Sequence, residues 1–178
     1  MQDPRTDEEL VEAANRGDVA AFEALYYRYR DWVVRLAQRL TGSRHDALDV
    51  LQETFAYLLG KFPGFRLRAR MTTFLYPVVK HLAVNVRRRE GRYVSDEELW
   101  GTLQAPDEPR TSRAELAEIM RALPEAQTEV VLMRFVDDMG LAEIAEALAI
   151  PLGTVKSRLH NALRSLRDDP RTREYFLE

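Results

Sequence analysis

Apolar residues recur at every third or fourth position along almost the whole chain, which predicts α-helices that each bury one face. Gly17, Gly42, Pro63 and Gly140 interrupt this spacing, since neither Gly nor Pro continues a helix at low cost. No segment shows the strict polar and apolar alternation of a half-buried strand. The sequence therefore predicts an all-α protein.

The first part of the chain contains four predicted helices. The first begins with a capping box at Thr6, and the second follows Asp18. The third is expected over residues 44–61. The fourth starts near residue 72 and contains Pro77, which lies either near its first turn or at a kink.

A change in composition divides the chain. Between residues 91 and 111 the helical spacing fades, and Gly and Pro stand among acidic residues. This stretch is predicted to be a flexible acidic linker. We therefore expect two small helical domains, residues 1–90 and residues 112–178.

The second domain is also predicted to contain four helices. A capping box at Ser112 opens the first, and Pro124 suits the first turn of the second. The second helix is expected to carry Phe135 and Val136 among its apolar positions and to end at Gly140.

The last two helices belong to the segment LAEIAEALAIPLGTVKSRLHNALR, residues 141–164, whose pattern predicts a helix-turn-helix. Ala145 is small where the two helices should cross closely, and Ile150 and Pro151 make a short turn. Ala149 stands where many such turns have Gly, which accepts positive φ at little cost.

The outer face of the second helix in this pair carries no acidic residue, and a helix of this size fits the major groove. The side chains expected to reach base edges are Lys156, Ser157, His160, Asn161 and Arg164. Those expected to hold phosphates are Thr154, Arg158 and Arg164. The alternative is a plain helical hairpin with a solvated polar face.

Two features of the first domain indicate further surfaces. Asp49, Gln52 and Glu53 form an acidic patch on the third helix, although spacing alone favours an ordinary solvated face. The loop that follows mixes cations with aromatic rings, as single-stranded DNA binding requires. Since Phe74 is expected to be buried, this hypothesis rests on the loop residues Lys61, Phe62, Phe65, Arg66, Arg68 and Arg70. The alternative is that the aromatic residues are core and the arginines are solvated.

Composition excludes several classes of protein. With 46% hydrophobic and 31% charged residues, the chain of 178 residues is expected to fold rather than to stay disordered. The absence of cysteine excludes disulfides, thiolate catalysis and Cys-ligated metals. No apolar run approaches the ~20 residues that cross a bilayer, and the acidic N-terminus is not a secretory signal, so the cytoplasm is the expected location.

The distribution of charge is more informative than the net charge of −3. Residues 61–92 and 152–167 are strongly basic, and residues 95–129 between them are rich in Asp and Glu. The three histidines lack metal-ligand spacing, and neither a phosphate-binding loop nor a nucleophile elbow is present. We therefore expect two basic surfaces, no metal, no cofactor and no catalytic activity.

Several segments resemble the bacterial sigma factors of the extracytoplasmic-function (ECF) group. AFEALYYRYR, DVLQETF and TFLYPVVKHLAVNVRRR are similar to the second conserved region of that family. LPEAQTEVVLMRFVDDMGLAEIAEALAIPLGTVKSRLHNALRSLR is similar to its fourth region. Together these stretches occupy roughly residues 20–90 and 115–167, in the order that the family has them.

The resemblance implies a subunit that gives core RNA polymerase its promoter specificity. It implies that Asp49, Gln52 and Glu53 dock on the clamp coiled coil of the largest polymerase subunit, with the flap as a further partner, and that the loop of residues 61–70 captures a base flipped from the minus-ten element. The next helix would contact the duplex through Lys80, His81, Asn85 and Arg88. The helix-turn-helix would read the minus-thirty-five element.

The resemblance further implies a protein that is monomeric when free, is not inserted in a membrane and is held inactive by an anti-sigma factor. The sequence departs from the family pattern at Phe74, Pro77 and Ala149, and in its unusually basic loop. Two other interpretations remain. One is a stand-alone regulator whose first domain senses a ligand or dimerises, and the other is a helical module that binds only proteins.

Overall fold

The computed structural model describes residues 3–89, 118–170 and 172, and within these residues every regular element is a helix. The all-α prediction is therefore confirmed for the described part of the chain. The chain divides into two compact units, Met1–Tyr93 and Val94–Glu178. The expected acidic linker, the capping box at Ser112 and most of the C-terminal tail lie outside the described residues.

The described part of the first unit contains four helices, and side-chain caps begin the first three of them. They are α1 (Asp7–Asn15), α2 (Val19–Thr41), α3 (Arg44–Leu59) and α4 (Met71–Arg89). The Thr6 hydroxyl accepts a hydrogen bond from the Glu9 amide at 3.3 Å, and the Glu9 carboxylate accepts one from the Thr6 amide at 2.7 Å. This reciprocal pair is the capping box that the sequence predicts, and it satisfies two amides that the helix leaves unpaired.

Helix α2 lies at the centre of the first unit, where it contacts α1, α3 and α4. Leucines and valines spaced by three or four residues fill the space between these helices, as the sequence pattern predicts. The fully buried ones are Leu10, Leu25, Val33, Leu36, Leu40, Val50, Leu58, Leu75 and Val79. This core gives α3 and α4 a rigid backing, so their outer faces are held in fixed positions.

Charged groups fasten the N-terminal segment and α1 onto α2. Arg28 lies 2.6 Å from the Asp7 carboxylate, and the Tyr29 hydroxyl donates to the same carboxylate. Burial and the bond to Asp7 raise the pKa of the Tyr29 phenol. Arg5 lies 2.7 Å from Asp3, and hydrogen bonds from Arg5 lower the pKa of Asp3 to about 2.

Pro77 lies inside α4, six residues after the first residue of the helix, Met71. Of the two predicted places for Pro77, near the first turn or at a kink, the first is therefore wrong, because the first turn of α4 ends before Pro77. Pro77 is exposed, so its ring meets solvent rather than the core. The helix continues beyond it to Arg89.

The second unit contains a short helical stretch at residues 118–122, followed by α5 (Glu125–Phe135), α6 (Leu141–Ala147) and α7 (Leu152–Asp168). Pro124 is the N-cap of α5, one residue before the predicted place. The prediction that this helix continues to Gly140 is wrong.

Helix α5 ends early because the chain turns back after Phe135. Asp138 has a φ of 52°, and the Met139 amide donates to the Met133 carbonyl at 3.0 Å. Met139 is fully buried by this turn, while Phe135 and Val136 are 61% and 59% exposed. The apolar role expected of Phe135 and Val136 is therefore taken by Met139.

The last two helices form the predicted helix-turn-helix. Ile144 of α6 and Val155 and Ala162 of α7 are fully buried between them. Ala149 in the turn has a φ of 53°, the left-handed conformation that favours glycine. The substitution noticed in the sequence therefore lies at a position that the turn geometry strains.

Candidate nucleic-acid interfaces

The outer side of α3 presents an acidic face. Asp49 and Gln52 are exposed and Glu53 is half-buried, so the three predicted residues share one accessible surface. They line a cleft of about 270 Å³ between α3 and the end of α4. The complete lining is Asp46, Asp49, Gln52, Glu53, Val86 and Arg89. Carboxylates at the mouth of such a cleft suit a basic partner.

Three neighbours of this face were not predicted from the sequence. Asp46 is buried in the floor of the cleft, and Val86 and Arg89 reach it from α4. His45 is exposed, and its Nδ1 lies 3.7 Å from carboxylate oxygens of both Asp46 and Asp49. The only available signal for Arg89 was its place in a basic run, which does not indicate a contact with α3.

The basic loop has an extended central part in which exposure alternates. Arg66, Arg68 and Arg70 are exposed, and the two residues between them are half-buried. This alternation is the period of an extended chain, so the arginines share one side. The same alternation is visible in the sequence FRLRARM, and it could have been recognised there.

The aromatic residues of the loop occupy positions that differ from the expected ones. Phe65 is only 8% exposed, and its ring lies 5.5 Å from Phe62 and 4.8 Å from Phe74. Phe62 is half-buried and packs edge-on at 5.9 Å against Phe22 of α2. Phe65 therefore offers no free ring face for base stacking, because apolar burial holds it inside the first unit.

Tyr57 at the end of α3 is the aromatic residue on the outside of this cluster. It is 45% exposed and stacks on Phe74 with 6.4 Å between ring centroids. The Lys61 ammonium lies 4.3 Å above the Tyr57 ring. Such a cation over a ring is attracted to its negative face. Lys61 is thus held beside the loop, although its side chain remains exposed.

Asn15, the last residue of α1, binds the backbone of the loop. Its Oδ1 accepts from the amides of Gly64 at 2.6 Å and Phe65 at 3.0 Å. Its Nδ2 donates to the Phe65 carbonyl at 2.8 Å. The sequence does not indicate these bonds, since a contact across fifty residues leaves no local signal.

One face of α4 carries the predicted duplex-contacting residues. His81, Asn85 and Arg88 follow each other at helical spacing, and His81 Nε2 lies 3.0 Å from Asn85 Nδ2. His81 and Arg88 are exposed, while Asn85 and Lys80 are half-buried. The structure therefore brings these side chains to an accessible surface, with Lys80 at its margin.

The outer face of α7 has the predicted composition. Lys156, Ser157, His160 and Arg164 are exposed, and the Ser157 hydroxyl donates to the Gly153 carbonyl at 2.9 Å. The three remaining predicted residues, Thr154, Arg158 and Asn161, are half-buried. No acidic residue occurs in α7 before Asp168, so the positive charges of this face are not offset by a carboxylate of the same helix.

Two further properties concern only the described residues. None of their helices combines the length and the apolar character that a bilayer crossing needs. Within the same residues, no three His, Asp or Glu side chains are grouped so that they could hold a metal ion.

Comparisons with known proteins agree with this geometry. The family model of sigma-70 region 2 matches residues 25–93, and that of sigma-70 region 4 matches residues 113–166. The ECF RNA polymerase sigma-E factor of Haemophilus influenzae is 32% identical in an alignment 178 positions long. This alignment covers 91% of this chain and 94% of that protein. The ECF RNA polymerase sigma factor SigW of Bacillus subtilis is 28% identical in an alignment 174 positions long, which covers 88% of this chain and 92% of that protein.

Solved structures share the fold. CnrH, in its complex with the cytosolic domain of CnrY, has a TM-score of 0.66 and 21% identity, over 89% of this chain and 93% of that chain. The sigma factor RpoE of Bartonella quintana, in complex with the anti-sigma factor NepR, has a TM-score of 0.63 and 17% identity, over 84% of this chain and 96% of that chain. Since both family models match in order and the relatives align over nearly their whole length, the chain belongs to the ECF group of the sigma-70 family of RNA polymerase sigma factors.

Proposed function

We propose that this chain is a promoter-specificity subunit that binds core RNA polymerase, recognises the minus-thirty-five and minus-ten elements and promotes DNA opening. The observation that carries the proposal is the first unit, which presents an acidic face on α3 and an arginine segment after it as separate accessible surfaces. A stand-alone regulator would need neither surface. That alternative is also disfavoured because the family models match both halves of the chain.

The acidic face is proposed to dock on the clamp coiled coil of the polymerase. Asp49, Gln52 and Glu53 supply charge and hydrogen-bond acceptors from one side of a helix that the core holds in place. A basic side chain of the partner could enter the adjoining cleft between α3 and α4. Complementary charge of this kind favours a specific orientation as well as rapid association.

The arginine segment is proposed to hold the displaced strand of the minus-ten element. Arg66, Arg68 and Arg70 can follow successive phosphates, with Lys61 beside them. Extruding a base costs a few kcal/mol, which contacts to the flipped base and to phosphates can largely offset. The duplex upstream would then meet Lys80, His81, Asn85 and Arg88 on α4. Because Phe65 is buried, stacking on its ring is not part of this proposal.

The second unit is proposed to read the minus-thirty-five element with α7. The exposed side chains Lys156, Ser157, His160 and Arg164 would face the base edges of the major groove. The half-buried Asn161 would join them at the base edges, while Thr154, Arg158 and Arg164 would hold phosphates. The helix buries only its inner stripe, so the outer face is available to DNA.

This function requires no catalytic group or cofactor in the chain, and it places the protein in the cytoplasm with RNA polymerase. The solved structures of CnrH and of RpoE are complexes, the second with an anti-sigma factor. We therefore include a protein inhibitor that covers the polymerase-binding and DNA-binding faces among the partners. The free chain is proposed to be a monomer.

Size-exclusion chromatography with core RNA polymerase tests the proposal. The wild type is compared with an Asp49→Ala, Gln52→Ala, Glu53→Ala triple variant. A Glu12→Ala, Glu23→Ala variant is the matched control, since it also removes two exposed carboxylates. We expect the wild type and the control to co-elute with polymerase and the triple variant to elute alone. If the folded wild type, free of inhibitor, fails to co-elute, the proposal is wrong and a stand-alone regulator replaces it.

A further inference from the structure

We infer that Asn15 is a positioning residue for the segment that reads the minus-ten element, an inference that rests on the proposed function. Asn15 lies at the end of α1, and its carboxamide binds three backbone groups of the loop. These groups belong to Gly64 and Phe65, directly before the first exposed arginine, Arg66. Asn15 thus fixes the point from which the arginine segment extends.

The chemistry of the carboxamide explains why asparagine suits this place. One oxygen accepts from two adjacent amides, while the nitrogen of the same group donates to a carbonyl. Asp could accept both amides but would set a second carboxylate oxygen against the Phe65 carbonyl. Ala would leave all three backbone groups without these bonds, and such losses cost more where water is excluded.

Helix α1 can act as a support because it is itself fastened. Asp7 at its start is bound by Arg28 and Tyr29 of α2. At its other end, the Asp18 amide donates to the Ala13 carbonyl of α1 at 3.1 Å, and the Asp18 carboxylate caps α2 by accepting from the Ala21 amide at 3.2 Å. Both ends of α1 are therefore tied to α2, and the position of α2 is transmitted through Asn15 to the loop.

The loop has two anchors of different kinds. The Phe65 ring is buried among Phe62 and Phe74, which secures the loop to the core. Asn15 fixes the backbone of the same residue, which sets the direction in which the chain leaves it. Loss of Asn15 should therefore leave the core intact and loosen only the arginine segment. A loosened segment loses more conformational entropy when it binds DNA, so it binds less well, and the preference for the best minus-ten base falls.

The test uses holoenzyme assembled from core polymerase and full-length chain, with a promoter library randomised at both elements. Transcribed sequences are selected for the wild type, Asn15→Ala, Asn15→Asp and the control Glu12→Ala, which changes an exposed residue of the same helix. For Asn15→Ala we expect normal polymerase co-elution and an unchanged minus-thirty-five preference. The preference for the best minus-ten base over the others should fall about tenfold. The minus-ten preference of Asn15→Asp should lie between those of the wild type and Asn15→Ala, and that of Glu12→Ala should match the wild type.

Hydrogen exchange on the free chain is the second measurement. The Gly64 and Phe65 amides should exchange about tenfold faster in Asn15→Ala, while the amides of α2 to α4 keep their protection. Unchanged minus-ten preference in Asn15→Ala would overturn the inference, as would equal weakening at both promoter elements. If the wild-type holoenzyme selects no minus-ten sequence, the proposed function is wrong and the inference falls with it.

Discussion

Arg89 Nη1 lies 3.6 Å from Glu53 Oε1, so the last turn of α4 brings a cation to the acidic face of α3. The two side chains are 73% and 43% exposed, and exposed pairs of this kind contribute about 0–1 kcal/mol to stability. Arg89 nevertheless lies against Glu53, which is one of the three residues proposed to bind polymerase. Arg89 therefore competes with any basic side chain that the polymerase brings to Glu53.

Arg89→Gln should strengthen polymerase binding, because it frees the Glu53 carboxylate without disturbing the core. We expect the dissociation constant for core polymerase to fall about two- to fivefold, and the urea midpoint to stay nearly unchanged. Fluorescence anisotropy titration measures the first quantity. Arg88→Gln, which removes a neighbouring exposed cation, is the control. A large loss of affinity in Arg89→Gln would show instead that Arg89 contacts the polymerase.

Ala149→Gly should stabilise the helix-turn-helix, because glycine adopts a φ of 53° without the clash that a Cβ introduces. The expected gain in free energy of unfolding is about 1 kcal/mol. Ala142→Gly, at an exposed position in the first turn of α6, should instead lose up to about 0.5–1 kcal/mol, the cost of glycine in a helix interior. Hydrogen-exchange protection of the α7 amides in the full chain measures both changes. A loss of protection in Ala149→Gly would contradict the assigned strain.

Arg164→Ala should weaken recognition of the minus-thirty-five element, because it removes an exposed cation from the outer face of α7. We expect the free energy of binding to the intact promoter to weaken by about 1–3 kcal/mol. The slope of log affinity against log salt concentration should become shallower by up to about one. Holoenzyme binding to promoter duplexes with intact or scrambled minus-thirty-five elements checks this at several salt concentrations. Arg35→Ala, an exposed cation on α2, should leave the difference between the two duplexes unchanged. Equal losses in both variants would indicate a general charge effect.

The pairing of Asp3 with Arg5 within the N-terminal segment should persist to an unusually low pH. Hydrogen bonds from Arg5 lower the pKa of Asp3 to about 2, below its ordinary value of 3.8. A lowered carboxyl pKa means that the interaction is complete above the ordinary value and is lost as the pH falls through the folded one. Carbon-detected NMR titration of the Asp3 carboxyl should give a midpoint near the lowered value. In Arg5→Gln that midpoint should return toward 3.8, and an unchanged midpoint would refute the pairing.

The features that were predictable from the sequence are local ones. Helical spacing, the capping box at Thr6 and the left-handed turn at Ala149 depend on residues within a few positions of each other. The same reasoning failed at Phe135, because the spacing does not show that the chain turns back and buries Met139 in its place. Periodicity indicates which residues could be buried, and tertiary packing decides which ones are.

The candidate sites follow the same division. The exposure of the cations of α7 and of the loop was predictable, since Lys and Arg side chains are rarely fully buried. The burial of Phe65 was not, because an aromatic residue in a loop can face either the core or the solvent. The contacts of Asn15 with Gly64 and of Arg89 with Glu53 join distant segments, and no motif marks either one.

The segment between Phe65 and Met71 begins and ends at buried side chains, and its three arginines all lie outside. Substitutions at Arg66, Arg68 and Arg70 therefore alter how strongly the surface holds a strand without removing any part of the core. Under the proposed function, changes at these three positions tune the strength of a promoter rather than its identity, because contacts to phosphates carry no sequence information. The fold that carries those positions can be inherited unchanged, so divergence in the level of gene expression does not require divergence of architecture.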